Sequence, residues 1–455
     1  MTRKSSPRRP SPLDRALRSA MDAHQEGQHG AAERGYRAVL GAAPNHPDAL
    51  HYLGVLLHQL GQRDAALLLI KRALALVPAY VDAWNNLGNV QKELGLAADA
   101  EASFRTVIAA RPTFGPAYNN LGVVLKAQQR YGDAADAYRQ CLALAPGMAD
   151  AWSNLGNALK AQHDMEGAIS AYCLAIELAP QSTSGDAYRN LGRALVSGGR
   201  HAEALAVYRQ WQALDPADTA IAHMVASLAD GPAPERASDH YVQSTFDRFA
   251  GSFDEVLARL DYRAPAVCNA LVTSLLGAPA ATFAKLAVLD AGCGTGLCAP
   301  FLLAYAKTLD GVDLSPKMLE KAALRDCYRR LDEAELSAWL AAHPASYDLI
   351  VSADTLCYFG VLDEVVANAA GALRDGGHFV FTLEETDDAG QAFHGPHDQQ
   401  SQQFRLHPHG RYSHTEAYAR QVLERAGLSV VEVRREVLRT ELDQPVVGLV
   451  IAARR

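Results

Sequence analysis

Hydrophobic and small residues in the first half of the chain recur with one fixed period. Prolines stand at 44, 78, 112, 146 and 180, each 34 residues after the last, with a further one at Pro216. Gly54, Gly88, Gly122 and Gly156 keep the same step, as do Ala32, Ala66, Ala100, Ala134 and Ala168. Gly192 and Ala204 follow after 36 residues. An aromatic residue, Phe104, Tyr138, Tyr172 or Tyr208, falls four places after Ala100, Ala134, Ala168 and Ala204. This spacing predicts two antiparallel helices per unit. Small residues sit where the helices touch, the aromatic fills the gap between them, and proline ends the second helix because it cannot continue the hydrogen-bond ladder. The units run from about residue 13 to 218, and residues 182–185 supply the two extra positions of the last one.

The pattern changes after residue 285, where short apolar runs ending in acids alternate with amphipathic stretches. Residues 288–291 and 309–314 read as buried strands, Pro316 opens a helix, and residues 347–354 and 376–384 read as further strands. Residues 428–440 and 446–453 read as two β segments joined through Asp443, Gln444 and Pro445. Between the halves, Gly231-Pro232-Ala233-Pro234-Glu235 has the composition of a linker. The expected organisation is a basic disordered tail over 1–12, a helical solenoid over 13–218, a linker over 219–240 and an α/β domain over 241–455.

Composition narrows the possibilities. The chain has 455 residues, 49% hydrophobic and 21% charged, with a net charge of −8. That balance offers no basic field for nucleic acid. No run approaches the roughly 18 apolar residues of a membrane span, and the basic start lacks the apolar core of a secretory signal. Seven cysteines with no C-x-x-C pair point to free thiols in a reducing cytoplasm.

The segment Asp290-Ala291-Gly292-Cys293-Gly294-Thr295-Gly296 is a turn from which side chains have been removed, so that backbone can approach a ligand. An acid at the strand end would repel a pyrophosphate but suits a cationic amine, and Asp313 ends the next strand, where a carboxylate can take both hydroxyls of a ribose. This resembles motif I of the class I S-adenosylmethionine-dependent methyltransferases. The resemblance implies a Rossmann-like domain whose mostly parallel seven-stranded sheet ends in an antiparallel pair. It implies S-adenosylmethionine as cofactor, held by Asp290, Gly292, Cys293, Gly294, Thr295, Gly296, Asp313, Leu314, Met318, Glu335, Ala353 and Asp354. Met318 matches the position that packs on adenine, and Ala334-Glu335-Leu336 the A-D-L whose acid receives the adenine amino group; a solvated helix is the other reading of that stretch. Cys293 also reads as a small buried filler.

Residues 246–254, Phe-Asp-Arg-Phe-Ala-Gly-Ser-Phe-Asp, resemble the aromatic lead-in of many such enzymes. Its phenylalanines either fold over cofactor or pack in the core. Arg411-Tyr412-Ser413-His414 matches the R-Y-x-H of predicted bacterial methyltransferases that carry tetratricopeptide repeats, and the 34-residue period is itself similar to that repeat. His414 or Tyr412 could deprotonate an acceptor, with Asp354, Glu384 and Glu385 as other candidate bases; alternatively Ser413 or Thr415 caps a helix over 415–426. Histidines 394, 397, 407, 409 and 414 lie in a polar insert without the spacing of a zinc module, so no metal is expected and the insert reads as a lid on the acceptor side.

Asn86, Asn120, Asn154 and Asn190 share one position in successive units, with Lys92, Lys126 and Lys160 six residues after the first three. Asparagine is a poor helix former, so its repetition needs a reason. The row is similar to the asparagine ladder of O-linked N-acetylglucosamine transferases, which holds an extended peptide; bridging between neighbouring repeats is the alternative. The expected activity is methyl transfer to an unidentified acceptor, with a protein or peptide partner in the repeats. A different class of function is an adaptor whose methyltransferase-like half only binds cofactor.

Overall fold

A computed structural model describes residues 11–181, 185–278, 285–386, 403–441 and 444–455. The chain divides into two compact units between Gly198 and Gly199.

In the first unit, helices alternate in length between 12–13 and 14 residues, from Pro47–Gln59 and Arg63–Leu76 through Val81–Glu93, Ala97–Ala110, Gly115–Ala127, Tyr131–Leu144, Ala149–Ala161 and Met165–Leu178 to Asp186–Ser197. The pair Pro12–Gln25 and His29–Ala42 precedes them. The periodic glycines lie where partner helices cross. A Cβ at Gly122 would stand 2.5 Å from the Tyr138 ring, and one at Gly156 the same distance from Tyr172. The aromatic therefore occupies the volume that the missing side chain vacates. The prolines have a second use beyond stopping a helix. Their carbonyls accept hydrogen bonds from the next unit's aromatic: Trp84 Nε1 to Pro78 at 2.8 Å, Tyr118 Oη to Pro112 at 3.1 Å and Trp152 Nε1 to Pro146 at 2.9 Å. An orphan acceptor at a helix end is thus satisfied by the following repeat.

The second unit is built on a sheet of nine strands among the described residues: β1 (Leu286–Ala291), β2 (Ala306–Asp313), β3 (Arg330–Glu333), β4 (Tyr347–Ser352), β5 (Leu373–Glu385), β6 (Phe404–Leu406), β7 (Tyr412–His414), β8 (Ser429–Glu441) and β9 (Gln444–Arg454). Strands β3, β2, β1, β4 and β5 are parallel neighbours in that order. Strand β9 pairs antiparallel with β5 and with β8. The expected closing pair is therefore present. Apolar clusters cover both faces of the sheet, one around Leu289, Ile350, Phe379 and Leu449, the other around Val288, Leu309, Val351 and Val450. Alternate residues of one strand serve opposite faces, as a sheet buried on both sides requires.

Two features differ from the sequence reading. Residues 404–414, part of the expected lid, form the hairpin β6–β7, whose second strand runs parallel to the end of β5; His394 and His397 lie outside the described residues. The expected linker at 219–240 is folded onto the second unit. Asp218 caps the helix Thr219–Ala226, His223 Nε2 meets the Gly410 carbonyl at 2.9 Å, and Arg236 bridges Phe359. Buried Ile221 and Met224 explain the docking, because the segment carries apolar side chains that a solvated linker would leave in water.

The glycine positions give a paired prediction. Gly122→Ala is expected to cost about 1–3 kcal/mol through collision with Tyr138. Gly132→Ala, in a helix with nothing within 4 Å of its Cβ position, is expected to gain a few tenths to about 1 kcal/mol. Urea denaturation of the two variants should move the midpoint in opposite directions.

Candidate functional site

The C-terminal ends of β1, β2 and β4 meet at one edge of the sheet. After β1 the chain turns through Gly292, Gly294 and Gly296, with φ of +73°, +53° and +82°, a region that L side chains rarely enter. The amides of Gly292 and Cys293 both donate to the Val312 carbonyl, at 2.9 and 3.0 Å, which pins the turn to β2. The three glycines have different surroundings. A Cβ on Gly292 would strike Thr355, and one on Gly296 would stand 2.9 Å from Arg325 and 3.0 Å from the Tyr328 hydroxyl. Among the described residues, one on Gly294 would meet nothing closer than Phe253 at 3.9 Å. The backbone at Gly294 is thus open to a ligand. Cys293 is buried, its Sγ beside Gly311, and packs as a small filler.

Two carboxylates flank this turn. Asp313 takes the Gly294 amide on Oδ2 at 2.9 Å and the Ser315 amide on Oδ1 at 2.8 Å. Each oxygen spends one lone pair on the backbone and keeps another for a hydroxyl. Burial raises its pKa, while the Ser315 and Gly294 amides hold it back. Asp290 is 1% exposed and accepts the Tyr328 hydroxyl at 2.7 Å. Burial raises its pKa from 3.8 to about 7, against the Tyr328 hydrogen bond and with help from the Asp313 charge. A site with Asp290 near half-protonation at neutral pH favours a cation, which would draw it fully into the charged form.

The lead-in segment covers the turn. Asp247 accepts the Ser315 hydroxyl at 2.6 Å, and Asp254 accepts the Thr295 hydroxyl at 2.5 Å and Arg325 Nη2 at 3.0 Å. Phe253 stacks edge-on against Phe246 and Phe249, with centroids 6.0 and 5.5 Å apart. The phenylalanines pack with one another and with Tyr358, and the aspartates make the contacts to the turn. At the other rim, Leu314 is half-buried and Met318 is buried in the helix Pro316–Ala323. Glu335 caps the helix Leu336–Ala341 through Oε2, on the Ala338 amide at 2.7 Å. Among the described residues its Oε1 is buried without a partner. An unpaired buried acceptor is costly unless a ligand donor completes it.

Beyond the turn, β4, β5 and β8 bring charges together. Ala353 follows β4 and is half-buried, and Asp354, with φ of +57°, donates its amide to Thr382 Oγ1 at 2.7 Å. Its carboxylate holds Arg439 Nη1 through contacts of 3.0 and 2.9 Å. Arg439, 1% exposed, also bonds Glu384, and Glu441 at 2.5 Å. Arg411 pairs with Glu384 at 2.7 Å and Glu441 at 2.5 Å. Burial tends to raise Glu441, yet the two guanidinium groups outweigh it and hold its pKa at about 2. Among the described residues, Asp354, Cys357 and Glu384 place ligand atoms within 4.8 Å of one another. The Arg439 guanidinium already neutralises both carboxylates there.

Residues 289–379 match the family described as a methyltransferase domain, and residues 17–78, 59–113, 119–183 and 184–219 match the tetratricopeptide repeat. The chain joins tetratricopeptide repeats to a methyltransferase domain. Among curated relatives, human Methyltransferase-like protein 27 is 42% identical over 88 residues, covering 19% of this chain and 34% of that protein. The Ubiquinone biosynthesis O-methyltransferase of Thiobacillus denitrificans is 33% identical over 99 residues, covering 21% and 43%. The chain thus spans less than half the length of either. A solved structure of MamA from Desulfovibrio magneticus RS-1 is 20% identical with a TM-score of 0.36, over 38% of this chain and 98% of that one. No helix among the described residues is long and apolar enough to cross a membrane.

Within the methyltransferase domain, Asp290, Gly292, Cys293, Gly294, Thr295, Gly296, Asp313 and Leu314 gather at the turn, and Met318, Glu335, Ala353 and Asp354 stand around it. His414 and Tyr412 are not brought to the cleft. Both are fully buried in β7, His414 Nε2 on the Gly360 carbonyl at 3.1 Å and Tyr412 donating to the Pro234 carbonyl at 2.8 Å. Burial lowers the His414 pKa to about 4. Packing takes the place of the expected proton transfer, because the hairpin completes the sheet. In place of the alternative Ser413 cap, Thr415 caps the helix Glu416–Arg425. Sequence reasoning missed Tyr328, Arg325, Asp247, Asp254 and Arg439. Two Phe-Asp dipeptides, at 246–247 and 253–254, were the available signal for the aspartates, one near the end of the helix Asp239–Phe249 and one at the start of the helix Phe253–Arg259.

The raised Asp290 pKa has a defined sign. The folded chain keeps this proton to higher pH than the unfolded one, so its contribution is present at low pH and is lost as pH rises from 3.8 to about 7. Asp290→Asn should therefore be relatively more stable than the parent at pH 8 than at pH 5, by on the order of 2–4 kcal/mol. Urea denaturation at the two pH values measures the difference.

Proposed function

We propose that this chain transfers a methyl group from S-adenosylmethionine to an acceptor recognised with the help of its repeats. The observation that carries the reading is the open Gly294 backbone between Asp290 and Asp313. In this reading Asp290 would hold the cofactor's amine and Asp313 its ribose hydroxyls. Met318 and Leu314 would supply the apolar wall for adenine, Glu335 Oε1 would accept the adenine amino group, and Ala353 and Asp354 would line the rim. When bound, the cofactor supplies a methyl already activated by its sulfonium. The protein's task is then to align the acceptor and exclude water.

The candidate bases support such a division of labour. His414 and Tyr412 are buried, and Asp354 and Glu384 are committed to Arg439. Glu385 is held by exposed Arg435 at 2.9 Å, the weaker type of pairing, and is the carboxylate we assign to acceptor contact. Seven free cysteines support a reducing, cytoplasmic setting.

In the repeats, each ladder asparagine gives its amide to the unit before it. Asn86 Nδ2 lies 2.8 Å from His51 Nε2, Asn120 donates to Asn89 at 3.3 Å, Asn154 to Asn119 at 3.2 Å and Asn190 to Asn157 at 3.2 Å. These contacts are the bridging expected under the alternative reading of the row. In the proposed reading a protein or peptide partner uses the carbonyl oxygens that the bridges leave over, and the repeat family itself supports such a partner.

Lysate incubated with methyl-tritiated cofactor and the full chain should yield a labelled acceptor, and Asp313→Ala should reduce labelling at least about ten-fold. A peptide acceptor held by the repeats should lose its label with residues 199–455 alone; a small metabolite should keep it. Cofactor binding without any labelled product would favour the adaptor reading.

A further inference from the structure

Every 34 residues the last turn of a first helix carries a basic side chain: His24, His58, Lys92, Lys126 and Lys160. A cation there offsets the helix dipole, which accounts for one such residue but not for what each one touches. His24 Nε2 meets Gln59 Oε1 at 2.8 Å, and His58 Nε2 meets Glu93 Oε1 at 3.0 Å. In both cases the partner is the final residue of the following unit's first helix. At that same position the next two units have Ala127 and Ala161, and the last, lengthened unit has Ser197. At the position where His58 finds the Glu93 carboxylate, Lys92 and Lys126 thus have only an alanine in the following unit. Among the described residues, none of the three lysines forms an ion pair. The half-buried Lys126 ammonium is drawn below its ordinary pKa by loss of water. Lys160, though exposed as a residue, is lowered for the same reason, with the Arg193 cation adding to it.

Neighbours on the same helix face extend the pattern. Asn89 stands three residues before Lys92 and Asn157 three before Lys160, spacings that share one side of a helix, and Arg193 occupies the position of Asn89 in the last unit. Val123 stands at that position in the unit between, so these positions hold two amides, one valine and four cations without a carboxylate, in a chain whose net charge is −8. We propose that this face binds an extended peptide segment rich in aspartate and glutamate, whose carboxylates pair with Lys92, Lys126 and Lys160 and whose backbone meets the amide row. The proposal rests on the reading that the repeats bind a peptide, and adds the chemistry of that peptide. A nucleic acid fits the same charge less well, because no aromatic side chain stands at these positions to stack a base.

Fluorescence polarisation of the full chain with labelled peptides of about ten residues, alternating glutamate–alanine, serine–alanine or lysine–alanine, tests this. The glutamate peptide should bind, more weakly as salt rises, and the lysine peptide should not. Replacing the three lysines together by glutamine should weaken binding by about ten-fold or more. Ala127→Glu with Ala161→Glu should weaken it too, by giving Lys92 and Lys126 internal partners, with helical circular dichroism unchanged. If the serine peptide binds as tightly as the glutamate one, the acidic preference fails while peptide binding stands. If no peptide binds, both fail. Equal binding by the triple variant, or binding of oligothymidylate in place of the glutamate peptide, overturns the proposal.

Discussion

A parallel sheet delivers the ends of its strands to one edge, and a ligand can use that edge only where backbone is bare. The turn after β1 meets this constraint with three left-handed glycines, two of them packed against Thr355, Arg325 and Tyr328, and one open at Gly294. The packed pair holds the shape and the open one admits a ligand. Asp290 and Asp313 gain their properties from the same geometry. Burial at the strand end raises both pKa values, and the turn's own amide fixes the Asp313 carboxylate.

The neighbouring charge cluster shows what this edge costs. Arg439 is withdrawn from water and must satisfy Asp354, Glu384 and Glu441, while Arg411 shares two of those acids. Such networks stabilise little compared with apolar packing, but losing one member strands the others. Their effect is to hold the ends of β4, β5 and β8 in one arrangement beside the turn. Under the proposed methyl transfer, a rigid arrangement here suits catalysis by alignment, and it leaves few side chains free for proton transfer.

The repeats were the most legible part of the sequence because successive units obey the same local rule: glycine opposite a large side chain, an aromatic at Phe104, Tyr138 and Tyr172 and an isoleucine at Ile70, with proline at the stop. The glycine turn and its two acids were legible for a similar reason, since all lie within one strand-turn-strand segment. Residues that act across the fold were not. Arg439 reaches Asp354 from 85 positions away, and Tyr328 reaches Asp290 from 38, distances at which spacing carries no signal. His414 was misread because a short polar-flanked stretch gave no hint that β7 would add to the sheet beside β5 and bury the ring. Residues 219–240 were read from their proline and glycine content, while Ile221 and Met224, which dock them, were passed over.

The central claim is that the bend between Asp290 and Asp313 accepts a cationic nucleoside. Calorimetric titration of S-adenosylmethionine into the full chain near pH 7, in two buffers of different ionisation enthalpy, tests it most directly. The account predicts one site per chain, proton release as Asp290 becomes ionised, and loss of the heat in Asp313→Ala. No binding heat, or the same heat from Asp313→Ala as from the parent, would contradict it.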